Sequence, residues 1–190
     1  MSKVIIFNKP FGVISQFSPN PPHQTLKDFI HITDVYPAGR LDTDSEGLMI
    51  LTNDGKLQAQ VTEPKYKKYK QYLVQVEGVP SDEQIALLQN GVYLGDFTSS
   101  TAIVQSINEP ESLWSRNPPV RFRKSIPTSW ISLSICEGKN RQVRRMTAKV
   151  GLPTLRLIRV AIGGVMLANL QPGEWRELAY LDFIQQFQQA

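Results

Sequence analysis

The sequence predicts an α+β domain dominated by strands: a mostly antiparallel, mixed sheet flanked by a few helices. Residues 69–78 and 130–136 alternate apolar and polar side chains, which is the period of a half-buried strand. Residues 48–51 form a continuous apolar run that fits a fully buried strand. Helical patterns are fewer, so we expect the sheet to dominate the fold.

The helices are predicted from capping signals. Ser81-Asp82-Glu83-Gln84 is a capping box that opens a helix ending at Asn90-Gly91, and Thr25 with Asp28 opens one helical turn. The other predicted elements are, in chain order, strands at 4–7 and 13–14, a helix at 54–61, strands at 92–94 and 102–107, a Pro- and Arg-rich loop at 108–128, short strands within 154–178, and a C-terminal amphipathic helix burying Leu181, Ile184 and Phe187.

Composition limits the class of protein. With 190 residues, the chain is expected to be a single domain over 1–190, either compact or built as two lobes that share one sheet. One cysteine, Cys136, excludes an intrachain disulfide, and two histidines make a His/Cys zinc site unsupported. No run is long enough for a signal peptide or a membrane span. We therefore expect a monomer in the cytoplasm that needs no membrane.

Positive charge is concentrated in a few segments of the chain, although the net charge is only +4. Fifteen of the 21 Lys and Arg residues fall in the segments 65–70, 116–124 and 139–159. Residues 71–115 contain no cation but six acids. One cationic run is usually only a solvated face, whereas three runs of one sign favour a polyanionic partner, first of all nucleic acid.

The most informative segment is the Asp42 loop, residues 39–47, which carries Asp42, Asp44 and Glu46 between two glycines. A short loop at the mouth of a buried strand can hold a carboxylate in a fixed geometry for catalysis. It can equally be a tight turn whose Asp binds nearby backbone. The pattern also imitates an EF-hand, but the twelfth position is Asn53 rather than Glu, which argues against calcium.

A second informative segment is a basic helix at 141–150. Val143, Met146 and Val150 form its apolar stripe, and Gly151 is suited to end it. The opposite arc carries only cations, and no acid follows Glu137 until Glu174. A helix with this face after a glycine is suited to a phosphate backbone. The chain lacks a Walker loop, a G-x-G-x-x-G fingerprint and a serine nucleophile elbow, so we expect no cofactor.

Three segments together resemble one family. Residues 39–55, 70–78 and 137–146 are similar, in order and spacing, to the three motifs of the RsuA/RluB/RluE/RluF family of ribosomal RNA pseudouridine synthases, and the similarity extends from about residue 4 to residue 178. The segments 116–119, 126–130 and 172–176 make it closest to members that act on 23S rRNA. The resemblance implies the pseudouridine synthase fold with a central active-site cleft, and no metal.

The resemblance also implies a reaction and its residues. Uridine in RNA is isomerised: the N1–C1′ bond breaks, the uracil turns, and C5 bonds to C1′. Asp42 would be the essential carboxylate, as a covalent nucleophile or as a group that stabilises and deprotonates a sugar intermediate. Arg144, or else Arg141, would keep Asp42 ionised. Tyr72 would stack on the uracil and assist proton removal at C5.

The target base must be extruded from folded RNA, and Arg40 is placed to fill the vacated stack or hold a flanking phosphate. Many relatives carry an N-terminal S4 RNA-binding module, whereas this chain starts almost directly at the catalytic domain, so affinity must come from the domain itself. Two alternatives remain: a non-catalytic RNA-binding or ribosome-assembly factor, and a hydrolase using Asp42 with Asp44 or Glu46. The residues expected to bind ribosomal RNA are Arg40, Lys67, Lys68, Lys139, Arg141 and Arg145.

Overall fold

A computed structural model describes residues 2–121 and 123–189. The strands are β1 Val4–Lys9, β2 Tyr36–Pro37, β3 Glu46–Thr52, β4 Lys70–Glu77, β5 Ile103–Ile107, β6 Thr128–Ile135, β7 Thr154–Ile162, β8 Val165–Met166 and β9 Trp175–Glu177. The helices are α1 Gly55–Thr62, α2 Asp82–Asn90, α3 Gln142–Lys149 and α4 Tyr180–Gln188, with 3-10 turns at Leu26–Asp28 and Pro64–Tyr66. None of the helices in these described ranges is long and apolar enough to cross a bilayer.

The chain divides into two compact units. Unit 1 comprises Met1–Lys68 and Ile158–Ala190, and unit 2 comprises Tyr69–Leu157. Strand β7 begins in unit 2 and ends in unit 1. The organisation of these units as one catalytic domain stays a prediction.

Unit 1 is built on a buried mixed sheet. Strand β1 pairs antiparallel with β3 along its whole length and with β9 on its other side, while β3 pairs parallel with β7 at Glu46 and Gly47. Every residue of β1 and β3 is buried, which explains why both read as apolar runs rather than as alternating patterns. The predicted α+β class with a mixed sheet is confirmed.

Unit 2 is built on an antiparallel sheet with a half-buried face. Strand β6 lies between β4 and β5 and pairs antiparallel with both. Burial in β4 alternates at every residue, as the sequence pattern predicts. Helix α2 has the predicted capping box at Ser81 and ends at Gly91, whose φ of +98° suits glycine. Strand β4 carries the second motif, and the third motif, 137–146, spans the turn after β6 and the start of α3.

Three sequence-based predictions for local structure are wrong. Residues 92–94 form one side of a hairpin rather than a strand of the sheet, and residues 13–14 contribute only a bridge from Ile14 to Thr25. In α4, Leu181 is 80% exposed, because Phe183 and Phe187, four residues apart, face the interior instead.

Candidate active site

The Asp42 loop joins β2 to β3 in unit 1, and Asp42 itself is half-buried. Glycine is required where the loop enters β3: Gly47 has φ +104°, and a Cβ there would lie 2.3 Å from the carbonyl oxygen of Arg159. This close approach comes from the parallel pairing of Gly47 with Arg159 in β7. The end of the loop is therefore fixed by backbone packing.

Ser15 fixes the residue next to Asp42. Its hydroxyl donates to the Leu41 carbonyl at 2.6 Å and accepts from the Leu41 N–H at 3.1 Å, and both residues are buried. One side chain thus satisfies both polar backbone groups of Leu41, which need partners because water does not reach them. On the other side of Asp42, the Thr43 carbonyl accepts from the Gly12 N–H at 2.8 Å. The loop backbone is held on both sides of the carboxylate.

Lys9 is a buried cation beneath this loop. It is the last residue of β1 and is fully buried, and its ammonium donates to the carbonyls of Pro10 at 2.8 Å and Val13 at 2.7 Å. A longer contact of 3.5 Å reaches the Thr43 carbonyl, one residue after Asp42. Lys9 therefore ties the turn after β1 to the Asp42 loop.

Electrostatics link Lys9 to all three carboxylates of the loop. Burial lowers the pKa of Lys9 from its ordinary 10.5 to about 7, against the opposing attraction of Glu46, Asp44 and Asp42, while Arg159 adds to the lowering. Glu46 is 1% exposed and Arg159 4% exposed, so this charge cluster lies inside unit 1. Lys9 therefore interacts electrostatically with the carboxylates of the loop, Asp42 among them.

Sequence reasoning missed Lys9 and Arg159. It assigned the supporting cation to Arg144, or else to Arg141, because these residues lie in a predicted basic helix. A signal was present: Lys9 lies two residues after the apolar run 4–7, which the sequence predicts as a strand. Arg159 gives a weaker signal, a cation within an apolar run, and its Nε donates to the Leu48 carbonyl at 2.9 Å.

Unit 2 carries the other predicted catalytic side chains. Tyr72 lies on β4, is 7% exposed and shares its buried face with Val74 and Val76, as predicted. Arg144 is half-buried on α3, and Arg141 is exposed at its N-cap with φ +47°. The assembly of Asp42, Tyr72 and Arg144 in one cleft stays a prediction.

A buried amide positions the turn that leads into α3. Gln142 accepts from the Lys139 N–H at 3.0 Å and donates to Glu137, whose carboxylate also accepts from the Ser100 N–H at 2.7 Å. Gln142 is buried although the amphipathic pattern did not assign it to the apolar stripe. It is held because each of these polar atoms finds a partner within the turn.

The predicted RNA-binding residues differ in their surroundings. Arg40 and Lys67 are exposed, the latter in the left-handed region at φ +48°. Lys68 instead donates to the Phe187 carbonyl at 2.8 Å near the end of α4, where a cation stabilises the helix terminus. A structural role thus already accounts for Lys68, and its RNA contact stays a prediction.

Lys139 and Arg145 both contact the aromatic ring of Phe97. The ammonium of Lys139 lies 3.6 Å from the centre of the Phe97 ring, and the guanidinium of Arg145 lies 5.3 Å from it. Arg145 also forms a two-pronged ion pair with Asp96. These cations are therefore engaged by the protein itself.

The cationic segments are not a single exposed surface. Lys70, Arg156 and Arg159 are buried, so three of the fifteen clustered cations belong to the interior. Arg116 donates to the carbonyls of Pro118, Pro119 and Leu155, and Arg123 pairs with Glu77 at 3.4 Å. Charge runs in a sequence therefore overcount surface charge, because some of the cations are buried as donors to backbone carbonyls.

Comparison with known proteins agrees with these motifs. Residues 3–149 match the family described as RNA pseudouridylate synthase. The chain is 57% identical over 177 residues to the ribosomal large subunit pseudouridine synthase E of Vibrio vulnificus (strain CMCP6), covering 93% of this chain and 75% of that protein. It is 54% identical over 175 residues to the enzyme of the same name from Xanthomonas campestris pv. campestris, covering 91% of this chain and 94% of that protein.

Solved structures agree at the level of the fold. A structure titled "Crystal structure of pseudouridylate synthase" superposes with a TM-score of 0.81 at 27% identity, covering 98% of this chain and 74% of that one. A structure of an H/ACA RNP bound to a substrate RNA shares the fold with a TM-score of 0.57 at 14% identity, covering 86% of this chain and 48% of that one. On these matches, the chain belongs to the RNA pseudouridylate synthase family.

Proposed function

We propose that this chain isomerises a specific uridine of 23S ribosomal RNA to pseudouridine, with Asp42 as the reacting carboxylate. The observation that carries the proposal is the rigid presentation of half-buried Asp42 by Ser15, Lys9 and Gly47. The names of the relatives at 54–57% identity support large-subunit rRNA as the substrate. We also propose that the chain acts as a monomer in the cytoplasm.

The proposed chemistry needs no external reactant. Asp42 takes part in breaking the N1–C1′ bond, by attack at C1′ or by stabilising and deprotonating the sugar intermediate. The uracil then turns, C5 bonds to C1′, and the proton on C5 leaves as N1 regains one, so that the product has the composition of the substrate. Because the carboxylate acts in its ionised form, the cations near it contribute to catalysis by favouring that form.

The other roles are assigned residue by residue. Tyr72 stacks on the turning uracil and assists loss of the C5 proton, and its inward orientation on β4 supports this role. Arg144 contributes positive charge to the reacting carboxylate, in addition to Lys9 from within unit 1. Arg40 fills the space left by the extruded nucleotide or binds a flanking phosphate.

The decisive experiment compares Asp42→Asn with the wild type. Asn is nearly isosteric with Asp but can act neither as nucleophile nor as base, so tritium release from 5-labelled uridine in large-subunit rRNA should fall by at least about 10³-fold. Binding of the same RNA should change little. Equal tritium release by both proteins would refute the enzymatic role and favour a non-catalytic RNA-binding factor.

Asp44→Asn is the matched control, because it removes the same charge from a half-buried position in the same loop. We expect it to retain most of the activity. If Asp44→Asn were as inactive as Asp42→Asn and the wild type released free uracil from the RNA, the result would favour a hydrolase with a carboxylate pair.

A further inference from the structure

Residues 92–99 of unit 2, named here the tip hairpin, form a small two-stranded projection. The Ser99 N–H donates to the Val92 carbonyl at 2.9 Å, and the Leu94 N–H donates to the Phe97 carbonyl at 2.8 Å. Gly95 supplies a positive φ of +98° at the turn. The hairpin therefore presents Asp96 and Phe97 at its end.

The base of the tip hairpin is fixed. Ser99 is buried, and its hydroxyl accepts from the Val92 N–H at 2.9 Å. Next to it, Ser100 donates its N–H to the Glu137 carboxylate at 2.7 Å, which ties the hairpin to the turn before α3. Movement of the hairpin is thus expected at its end rather than at its base.

The end of the tip hairpin contacts two cations that are expected to bind RNA. Both carboxylate oxygens of Asp96 accept from Arg145, which also donates to the Leu94 carbonyl at 2.8 Å. The ring of Phe97 contacts both cations: the Lys139 ammonium lies 3.6 Å and the Arg145 guanidinium 5.3 Å from its centre. An anion, two cations and an aromatic ring therefore meet at one exposed point.

This arrangement has the geometry of a phosphate site. A guanidinium binds carboxylate and phosphate through the same two-pronged hydrogen bonding. The hydrogen bonds from Arg145 hold the pKa of Asp96 below its usual value, so Asp96 is an anion at neutral pH. Both partners reach solvent, where an ion pair is weak and screened by salt, so a phosphate can compete for Arg145.

We propose that Arg145 and Lys139 form a binding site for an RNA backbone phosphate, and that Asp96 occupies this site in the free protein and leaves it when RNA binds. The proposal rests on the proposed function only in taking RNA as the polyanion. Asp96 then opposes RNA binding, because its negative charge must be displaced before the phosphate can reach Arg145.

The test is Asp96→Asn, measured by fluorescence anisotropy with a labelled fragment of large-subunit rRNA over a series of salt concentrations. Asn keeps the shape of the side chain but loses the charge. At low salt we expect binding about two- to fivefold tighter than in the wild type, the range measured for exposed ion pairs. The advantage should shrink as the salt concentration rises, because salt screens the Asp96–Arg145 pair that the variant lacks.

Asp34→Asn is the matched control. Asp34 is an exposed acid in unit 1 with φ +62°, a conformation that Asn also tolerates. It removes the same charge without touching the tip hairpin, so the affinity for RNA should stay at the wild-type value. Tightening of equal size in both variants would overturn the proposal, because it would reflect net charge alone.

A double variant tests whether Asp96→Asn tightens RNA binding through Arg145. In Arg145→Gln, adding Asp96→Asn should no longer tighten binding, because the cation that both anions compete for is gone. Persistence of the tightening in that background, or unchanged or weaker binding by Asp96→Asn alone, would overturn the proposal. Anisotropy measures binding without turnover, so a failure of tritium release would refute the proposed isomerase and leave this result interpretable.

Discussion

The Asp42 loop of unit 1 and the basic helix α3 of unit 2 hold their charged groups in opposite ways. Around Asp42, the supporting groups are buried: Ser15, Lys9 and the Gly47 backbone contact fix the loop from inside. On α3, Arg145 is held by an ion pair that reaches solvent, and in the turn before α3 the ammonium of Lys139 lies on an aromatic ring. Buried contacts give a fixed geometry, which chemistry requires, whereas exposed pairs can be exchanged for those of a ligand.

Because the contacts around the Asp42 loop are buried, even one added methyl group should destabilise unit 1. Gly47→Ala should therefore have the largest effect on stability. Its Cβ would meet the Arg159 carbonyl at 2.3 Å in a backbone conformation that disfavours side chains. We expect the free energy of unfolding to fall by about 4 kcal/mol, measured by urea denaturation. Gly55→Ala is the control, since nothing lies within 4 Å of its Cβ at the start of α1, and it should be neutral or slightly stabilising.

Lys9→Met should be the next most severe change. It leaves the buried Val13 carbonyl and the Pro10 carbonyl without the ammonium donor. The expected loss in the free energy of unfolding is about 2 kcal/mol, most of it from unsatisfied carbonyls. Lys124→Met, in an exposed turn, should cause almost no loss. Equal losses in the two variants would show that Lys9 does not support the loop.

Lys9 should also give the protein a distinctive pH dependence. Its pKa falls from 10.5 to about 7 on folding, so the unfolded chain binds more protons between these two pH values. Stability from this group therefore rises with pH from about 7 to about 10.5, with a slope of up to about 1.4 kcal/mol per pH unit. The difference in unfolding free energy between wild type and Lys9→Met should move in favour of the wild type across this range. Parallel curves would contradict the assignment.

Substitution of an exposed cation in the turn before α3 should affect RNA binding and leave the fold intact. Lys139→Gln removes a cation whose described contact is the Phe97 ring, so the urea midpoint should stay at the wild-type value. RNA affinity should fall, and the log–log salt slope should become shallower by about 0.7. Lys27→Gln, an exposed cation in unit 1, is the control for net charge. A clear loss of stability in Lys139→Gln would remove the contrast between the two regions.

Sequence patterns correctly predicted the elements that have a regular apolar pattern or a clear capping signal. The alternation in β4, the apolar run of β3 and the capping box of α2 all correspond to observed elements. The region 154–178 was predicted only as short strands, so the nine-residue length of β7, which buries Arg156 and Arg159, was not predicted. The orientation of α4 was misjudged at Leu181. In both cases a tertiary contact determines which face is buried, and that contact has no local signature.

The sequence by itself determined the fold class, the three motifs and the position of Asp42 in a short loop before a buried strand. Only the tertiary structure revealed that Lys9, more than thirty residues earlier in the chain, lies beneath that loop. It also revealed that Asp96 forms an ion pair with the guanidinium of Arg145. The physical reason is that periodicity and capping act between near neighbours, whereas charges interact through space with whatever the fold brings close.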